Sequence, residues 1–101
     1  MINLRVKATP WLQHELRLSK KHQRTLEAIF CTQIPATLQW RRIEVLFMAL
    51  SATKKEGSGS SVNFKLAEKI VTFHRPHNRK EANRYQVRDA RDFLKQAGII
   101  P

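Results

Sequence analysis

The stretch GSGSSVNFKLAEKIVTFH, residues 57–74, carries the most regular pattern in the chain. Gly57-Ser58-Gly59-Ser60 has turn composition: glycine tolerates backbone angles closed to other residues, and serine bonds readily to nearby backbone groups. Ser61–Leu66 then alternates, with Val62, Phe64 and Leu66 on one face and Ser61, Asn63 and Lys65 on the other. That is the period of a strand with one buried face. Ala67-Glu68 leaves room only for a tight connection, so Lys69–His74 reads as the next antiparallel strand. Thr53–Glu56, ahead of the glycines, supplies the first strand of a three-stranded meander.

The flanking segments have helical spacing instead. Over Leu38–Ala52 the residues Trp40, Ile43, Leu46, Phe47 and Leu50 form one apolar stripe. Val45 and Met48 fall on the opposite side of that helix and call for a cover. The N-terminal segment, with Trp11, Leu12 and Leu16, is one candidate and a partner protein is the other. An earlier helix begins near Ser19 or Lys20, groups Leu26, Ile29 and Phe30, and ends around Cys31-Thr32, because Pro35 forbids smooth continuation. The last helix covers about Tyr85–Ala97, with Val87, Ala90, Phe93, Leu94 and Ala97 on its apolar face, and stops at Gly98. Thr9-Pro10 starts a further short helix over Trp11–Leu18. The expectation is an N-terminal helical extension, residues 1–18, followed by one α+β domain, residues 19–101. In that domain three antiparallel strands carry helices on one face, a two-layer sandwich.

A chain of 101 residues with 42% hydrophobic content supports one modest core. No apolar run approaches the ~20 residues of a membrane-spanning helix, and no signal peptide is evident. The single cysteine, Cys31, excludes an intramolecular disulfide and reads as a core or near-core residue. No Cys/His cluster suggests a metal, and no motif suggests a cofactor. These readings describe a soluble, cytoplasmic protein. Against them stands a net charge of +11, from 19 lysines and arginines and 8 acidic residues. Small soluble domains typically carry about 2–8 charges, so the excess points to a polyanion partner, and nucleic acid is the expected one.

Two constellations have suitable chemistry. On the last helix Arg84, Arg88, Arg91 and Lys95 recur at spacings of four, three and four, a basic ridge able to follow a phosphate backbone. The loop after the third strand, Phe73–Glu81, contains His74, Arg75, His77, Arg79 and Lys80. Imidazole exchanges protons near neutral pH with groups such as a ribose 2′-hydroxyl or a leaving 5′-oxygen. Arg75, Arg79 and Lys80 are positioned in sequence to hold a phosphate and its developing charge. A loop of this composition suits either cutting RNA or only binding it. His14 and His22 lack such company and read as surface or capping residues. The Gly57–Ser61 turn lacks the GxxxxGK[ST] pattern and leads into a strand, so it is no nucleotide P-loop.

Gly59-Ser60 opening the second strand, His77-x-x-Lys80-Glu81 after the third, and Phe93-Leu94-Lys95-Gln96-Ala97-Gly98-Ile99 at the end occur together in this order. In these features the sequence resembles the HicA family of toxin–antitoxin toxins, over roughly Lys20–Ile99. The resemblance implies a fold like a double-stranded-RNA-binding domain, endoribonucleolytic cleavage of mRNA without metal, and neutralisation by a HicB-type antitoxin. It also implies a catalytic histidine directly after the Gly-Ser turn, where this chain has Ser61. A serine needs a partner to accept its proton. The expectation is therefore that His74 or His77 has taken over as acid/base, with Ser60 and Ser61 close to the RNA. The alternative is a non-catalytic RNA-binding module using the same basic surface. Val45 and Met48 are the expected docking positions for the antitoxin.

Overall fold

The computed structural model describes residues 18–101. The expected helix over Trp11–Leu18 and the cover by Trp11, Leu12 and Leu16 lie outside the described residues, save for Leu18, which packs against the core. The elements are α1 (Lys20–Ile29), α2 (Trp40–Ala49), β1 (Thr53–Glu56), β2 (Ser61–Leu66), β3 (Lys69–His74) and α3 (Arg84–Gln96). The strands form one antiparallel sheet in the order β1-β2-β3. The fold is α+β, with the α-β-β-β-α order of a double-stranded-RNA-binding domain preceded by α1.

Each strand has the bounds expected from the sequence, Ser61–Leu66 from its alternation and the other two from their places beside the turns. The turn between β1 and β2 closes through Gly57 N–H to Ser61 O (2.9 Å) and Ser61 N–H to Ser58 O (3.1 Å), with Gly59 left-handed at φ 61°. A side chain there would be strained, which is why glycine occupies it. Ala67 and Glu68 both adopt positive φ, 50° and 69°, as the two-residue turn of a tightly twisted hairpin demands. The register pairs Val62 with Phe73 and Phe64 with Val71 on the inner face. On the outer face it pairs Ser61 with His74 and Asn63 with Thr72.

The helices are trimmed and capped by local chemistry. Ser19 Oγ accepts the His22 N–H (3.2 Å) at the start of α1. α2 begins two residues later than its apolar spacing suggests, because Leu38 and Gln39 pair with the far side of the 75–83 loop. It ends in a left-handed Ser51 (φ 70°), with Ala52 N–H bonding to Phe47 O and Ser51 N–H to Met48 O, both at 3.0 Å. α3 closes the same way on Gly98 (φ 85°), with Ile99 N–H to Leu94 O at 2.8 Å. α1 stops at Ile29 with Phe30 as its cap. Cys31 is accordingly exposed, which corrects its expected place in the core. Once α1 has ended, its side chain no longer follows the buried stripe.

The core lies between the inner sheet face and the three helices. Phe47 of α2 is its centre, with ring centroids 4.9 Å from Phe64 and 5.2 Å from Phe93, both edge-on. Trp40 closes one end against Phe73 at 4.8 Å. All these side chains are buried. None of the described helices is long and apolar enough to cross a membrane.

Candidate functional site

The loop from Arg75 to Asn83 is tied to the framework at several points, so its side chains project from a fixed backbone. Arg75 N–H donates to Ser60 O (3.0 Å), which joins the loop to the Gly-Ser turn. Further on, Trp40 N–H donates to Lys80 O and Ala82 N–H to Leu38 O, both at 2.9 Å. Gln86, almost fully buried, fastens the other side. Its Nε2 donates to His74 O (2.7 Å) and its Oε1 accepts the Asn83 N–H (2.8 Å). The end of β3 and the start of α3 are thus clamped by one side chain.

Arg75 makes the strongest polar cluster in this region. Its Nε and Nη2 donate to Glu44 at 2.7 and 3.0 Å, and its Nη1 and Nη2 donate to Glu56 at 2.7 and 2.9 Å. Trp40 Nε1 adds a 2.6 Å bond to Glu44 Oε1, and Lys54 lies 3.9 Å from both carboxylates. Burial pushes the Glu44 carboxyl up, but hydrogen bonds from Arg75 and Trp40 and the nearby positive charges outweigh it and hold it below its ordinary 4.5. The hydrogen bonds from Arg75 likewise hold Glu56 down, and the two carboxylates together raise Arg75. Arg75, read from sequence as a phosphate ligand, has four of its donor contacts directed at carboxylates and joins α2, β1 and the loop.

Around this anchor the structure gathers most of the expected site. His74, His77 and Arg79 line one open cleft with Pro76, Asn78, Asn83 and Tyr85. Arg79 and Lys80 also border an adjoining cleft with Trp40 and Arg41. His74, His77, Arg79 and Lys80 are exposed. Ser60 and Ser61 are half-buried at the neighbouring turn, and Ser61 is the cross-strand partner of His74.

The ridge on α3 divides into different environments. Arg84, Arg88 and Arg91 line a groove with Thr32, Gln33 and Ile34, while exposed Lys95 falls outside it. Arg91 also bonds inward, with Nε to Ile29 O at 2.8 Å and Nη2 to Cys31 O at 3.0 Å. It caps the carbonyl end of α1, where a cation also meets the negative end of the helix dipole. On α2, Met48 is exposed and Val45 half-buried, away from the His74 cleft. His22 is half-buried on α1, and His14 lies outside the described residues.

Several residues of this site, among them Gln86, Glu44 and Tyr85, were not singled out by sequence reasoning. Gln86 had a readable signal, since Asn83-x-x-Gln86 is the spacing of a capping box at a helix start. Glu44 had none, because its partner Arg75 is 31 residues away. Tyr85 had none because nothing in its own helix spacing sets it apart, although the loop it faces lies just before it in the chain.

A family model described as the HicA toxin of bacterial toxin–antitoxin systems matches residues 40–99. That span runs from the start of α2 to just beyond α3. No curated protein and no solved structure matches the chain.

Proposed function

The chain belongs to the HicA toxin family of bacterial toxin–antitoxin systems, and from that premise we propose that it is an endoribonuclease that cuts mRNA at the His74–His77 cleft. The observation that carries this reading is the pairing of Ser61 with His74 across β2 and β3. The family resemblance calls for a histidine at position 61. Directly opposed residues in an antiparallel pair have Cβ atoms only about 4.5–5.5 Å apart on one face. An imidazole on β3 therefore reaches the same space as one on β2.

The chemistry needs a base and an acid. His74 takes the proton of a ribose 2′-hydroxyl, and the 2′-oxygen attacks the adjacent phosphorus. The bond from phosphorus to the 5′-oxygen breaks, leaving a 2′,3′-cyclic phosphate. His77 returns a proton to the departing 5′-oxygen. Arg79 and Lys80 hold the phosphate and offset the charge that develops on its free oxygens. Arg75 serves as a positioning residue between the two histidines, fixed by Glu44 and Glu56. The α3 cations Arg84, Arg88 and Lys95 guide the RNA backbone. The toxin's partner is a HicB-type antitoxin that docks on Met48 and Val45, its acidic groups masking the basic surface.

Serine at position 61 favours a second reading, in which the same surface binds RNA without cutting it. Controlled expression of the wild type, His74→Ala and His77→Ala, with growth and labelled mRNA followed together, separates the two. The nuclease reading expects arrest and fragments from the wild type and a loss of cleavage on the order of 10²-fold or more in His74→Ala. Intact mRNA around an unneutralised wild type defeats it. Equal cutting by both single variants removes these histidines from the mechanism and leaves the activity.

A further inference from the structure

We infer that the His74–His77 cleft takes an unpaired nucleotide of single-stranded RNA, with its base stacked on the Tyr85 ring. This inference rests on the RNA reading above and specifies the form of RNA that the site accepts. Tyr85 is 57% exposed, whereas Trp40, Phe47, Phe64, Phe73 and Phe93 are buried. The buried rings pack against one another, and among the described residues the Tyr85 ring pairs with no other aromatic. Its neighbours one turn along α3, Arg88 and Asp89, are exposed and polar, so local packing gives no reason for an aromatic there.

The surroundings supply the reason. Tyr85 lines the cleft that holds His74, His77 and Arg79, and no carboxylate among the described residues lines it. A flat π-face at the edge of a cleft lined by cations and by no carboxylate is the arrangement that seats a base while its phosphate is held alongside. Asn78 and Asn83, at the same cleft, offer amide donors and acceptors to base edges. In a duplex the bases are stacked on each other and their faces are closed to a protein ring. An unpaired nucleotide alone can present its face to Tyr85 and its ribose to the histidines.

Binding to the full chain tests this with three probes. They are an unstructured 2′-O-methyl oligoribonucleotide, which cannot attack its own phosphate, the same strand annealed to its complement, and inorganic polyphosphate. Tyr85→Ala is expected to weaken the single strand about ten-fold and to leave the duplex and polyphosphate within two-fold. Tyr85→Phe, which keeps the ring, is expected to bind all three as the wild type does. A Tyr85→Ala variant that binds the single strand normally overturns the stacking role. Equal loss on all three probes overturns it too, since a base-free chain has nothing to stack. A wild type with no preference for either RNA over polyphosphate defeats the underlying RNA reading instead, whatever position 85 does.

Discussion

The Gln86 side-chain amide donates to the His74 carbonyl oxygen at 2.7 Å, from a residue that is itself almost fully buried. The same side chain accepts the Asn83 N–H, so it joins the last residue of β3 to the cap of α3. Replacement by leucine keeps the bulk and removes both bonds, leaving a carbonyl and an N–H without partners in a partly buried place. The expected loss is about 2 kcal/mol. Thermal unfolding checks it, with a fall of roughly 10 °C in Tm for a domain of this size.

Among the described residues Glu44 is the least exposed carboxylate in an ion pair, its side chain 15% exposed and its Oε1 2.7 Å from Arg75 Nε. Glu44→Ala strands the Arg75 guanidinium beside Glu56 alone and removes the acceptor of Trp40 Nε1. Breaking this partly buried pair is expected to destabilise by about 2 kcal/mol in urea unfolding, mainly because Trp40 Nε1 loses its acceptor while Arg75 keeps Glu56. Arg75→Lys is expected to rescue little, because an ammonium cannot bridge two carboxylates with the planar fork that guanidinium provides. Near-normal stability of Arg75→Lys would show that the net charge, not the geometry, holds the cluster.

The same cluster sets a pH dependence of definite sign. Glu44 and Glu56 have folded-state values lowered from 4.5, so the unfolded chain binds their protons more tightly. Their contribution to stability is complete above about pH 4.5 and is lost as the pH falls through the depressed folded values. Arg75 stays charged throughout and adds no titration in this window. Urea midpoints of the wild type and Glu44→Gln, measured from pH 7 down to pH 3, are expected to converge on acidification. A gap that stays constant or widens toward acid contradicts the direction of the shift.

The sheet was legible because its determinants are local. Val62, Phe64 and Leu66 alternate within one strand, and the turns at Gly57–Ser60 and Ala67-Glu68 leave no slack in register. Gly98 likewise marked the end of α3 through its own backbone freedom. Charged side chains were harder to place. Arg75 looked like a phosphate ligand by its neighbours in sequence, yet its carboxylate partners are 31 and 19 residues away. Arg91 fitted the basic ridge by spacing, but its acceptors belong to the end of α1, about 60 residues earlier. Long-range polar pairing has no periodicity, so spacing alone groups such residues with whichever cations lie nearest in the chain. Cys31 failed for a related reason: the helix ends at Ile29, two residues short of the expected Cys31-Thr32, and a shift of that size changes which way a side chain faces.

Arg88 and Arg91 lie three residues apart on α3 and line the same groove, yet they should fail differently when truncated. Arg91 is half-buried and bonded to two carbonyls at the end of α1. Arg91→Ala leaves those acceptors open, and the expected cost is about 1.5 kcal/mol in urea unfolding. Arg88 is exposed and makes no side-chain hydrogen bond or ion pair among the described residues, so Arg88→Ala should hold stability within about 0.5 kcal/mol. If the ridge follows an RNA backbone, Arg88→Ala should instead lower RNA affinity across sequences and reduce the slope of log affinity against log salt by about 0.7–0.9. Unfolding curves and salt titrations on the two variants read both effects. An unchanged salt slope in Arg88→Ala would remove that residue from the RNA path, and an unchanged unfolding midpoint in Arg91→Ala would deny the cap its energetic weight.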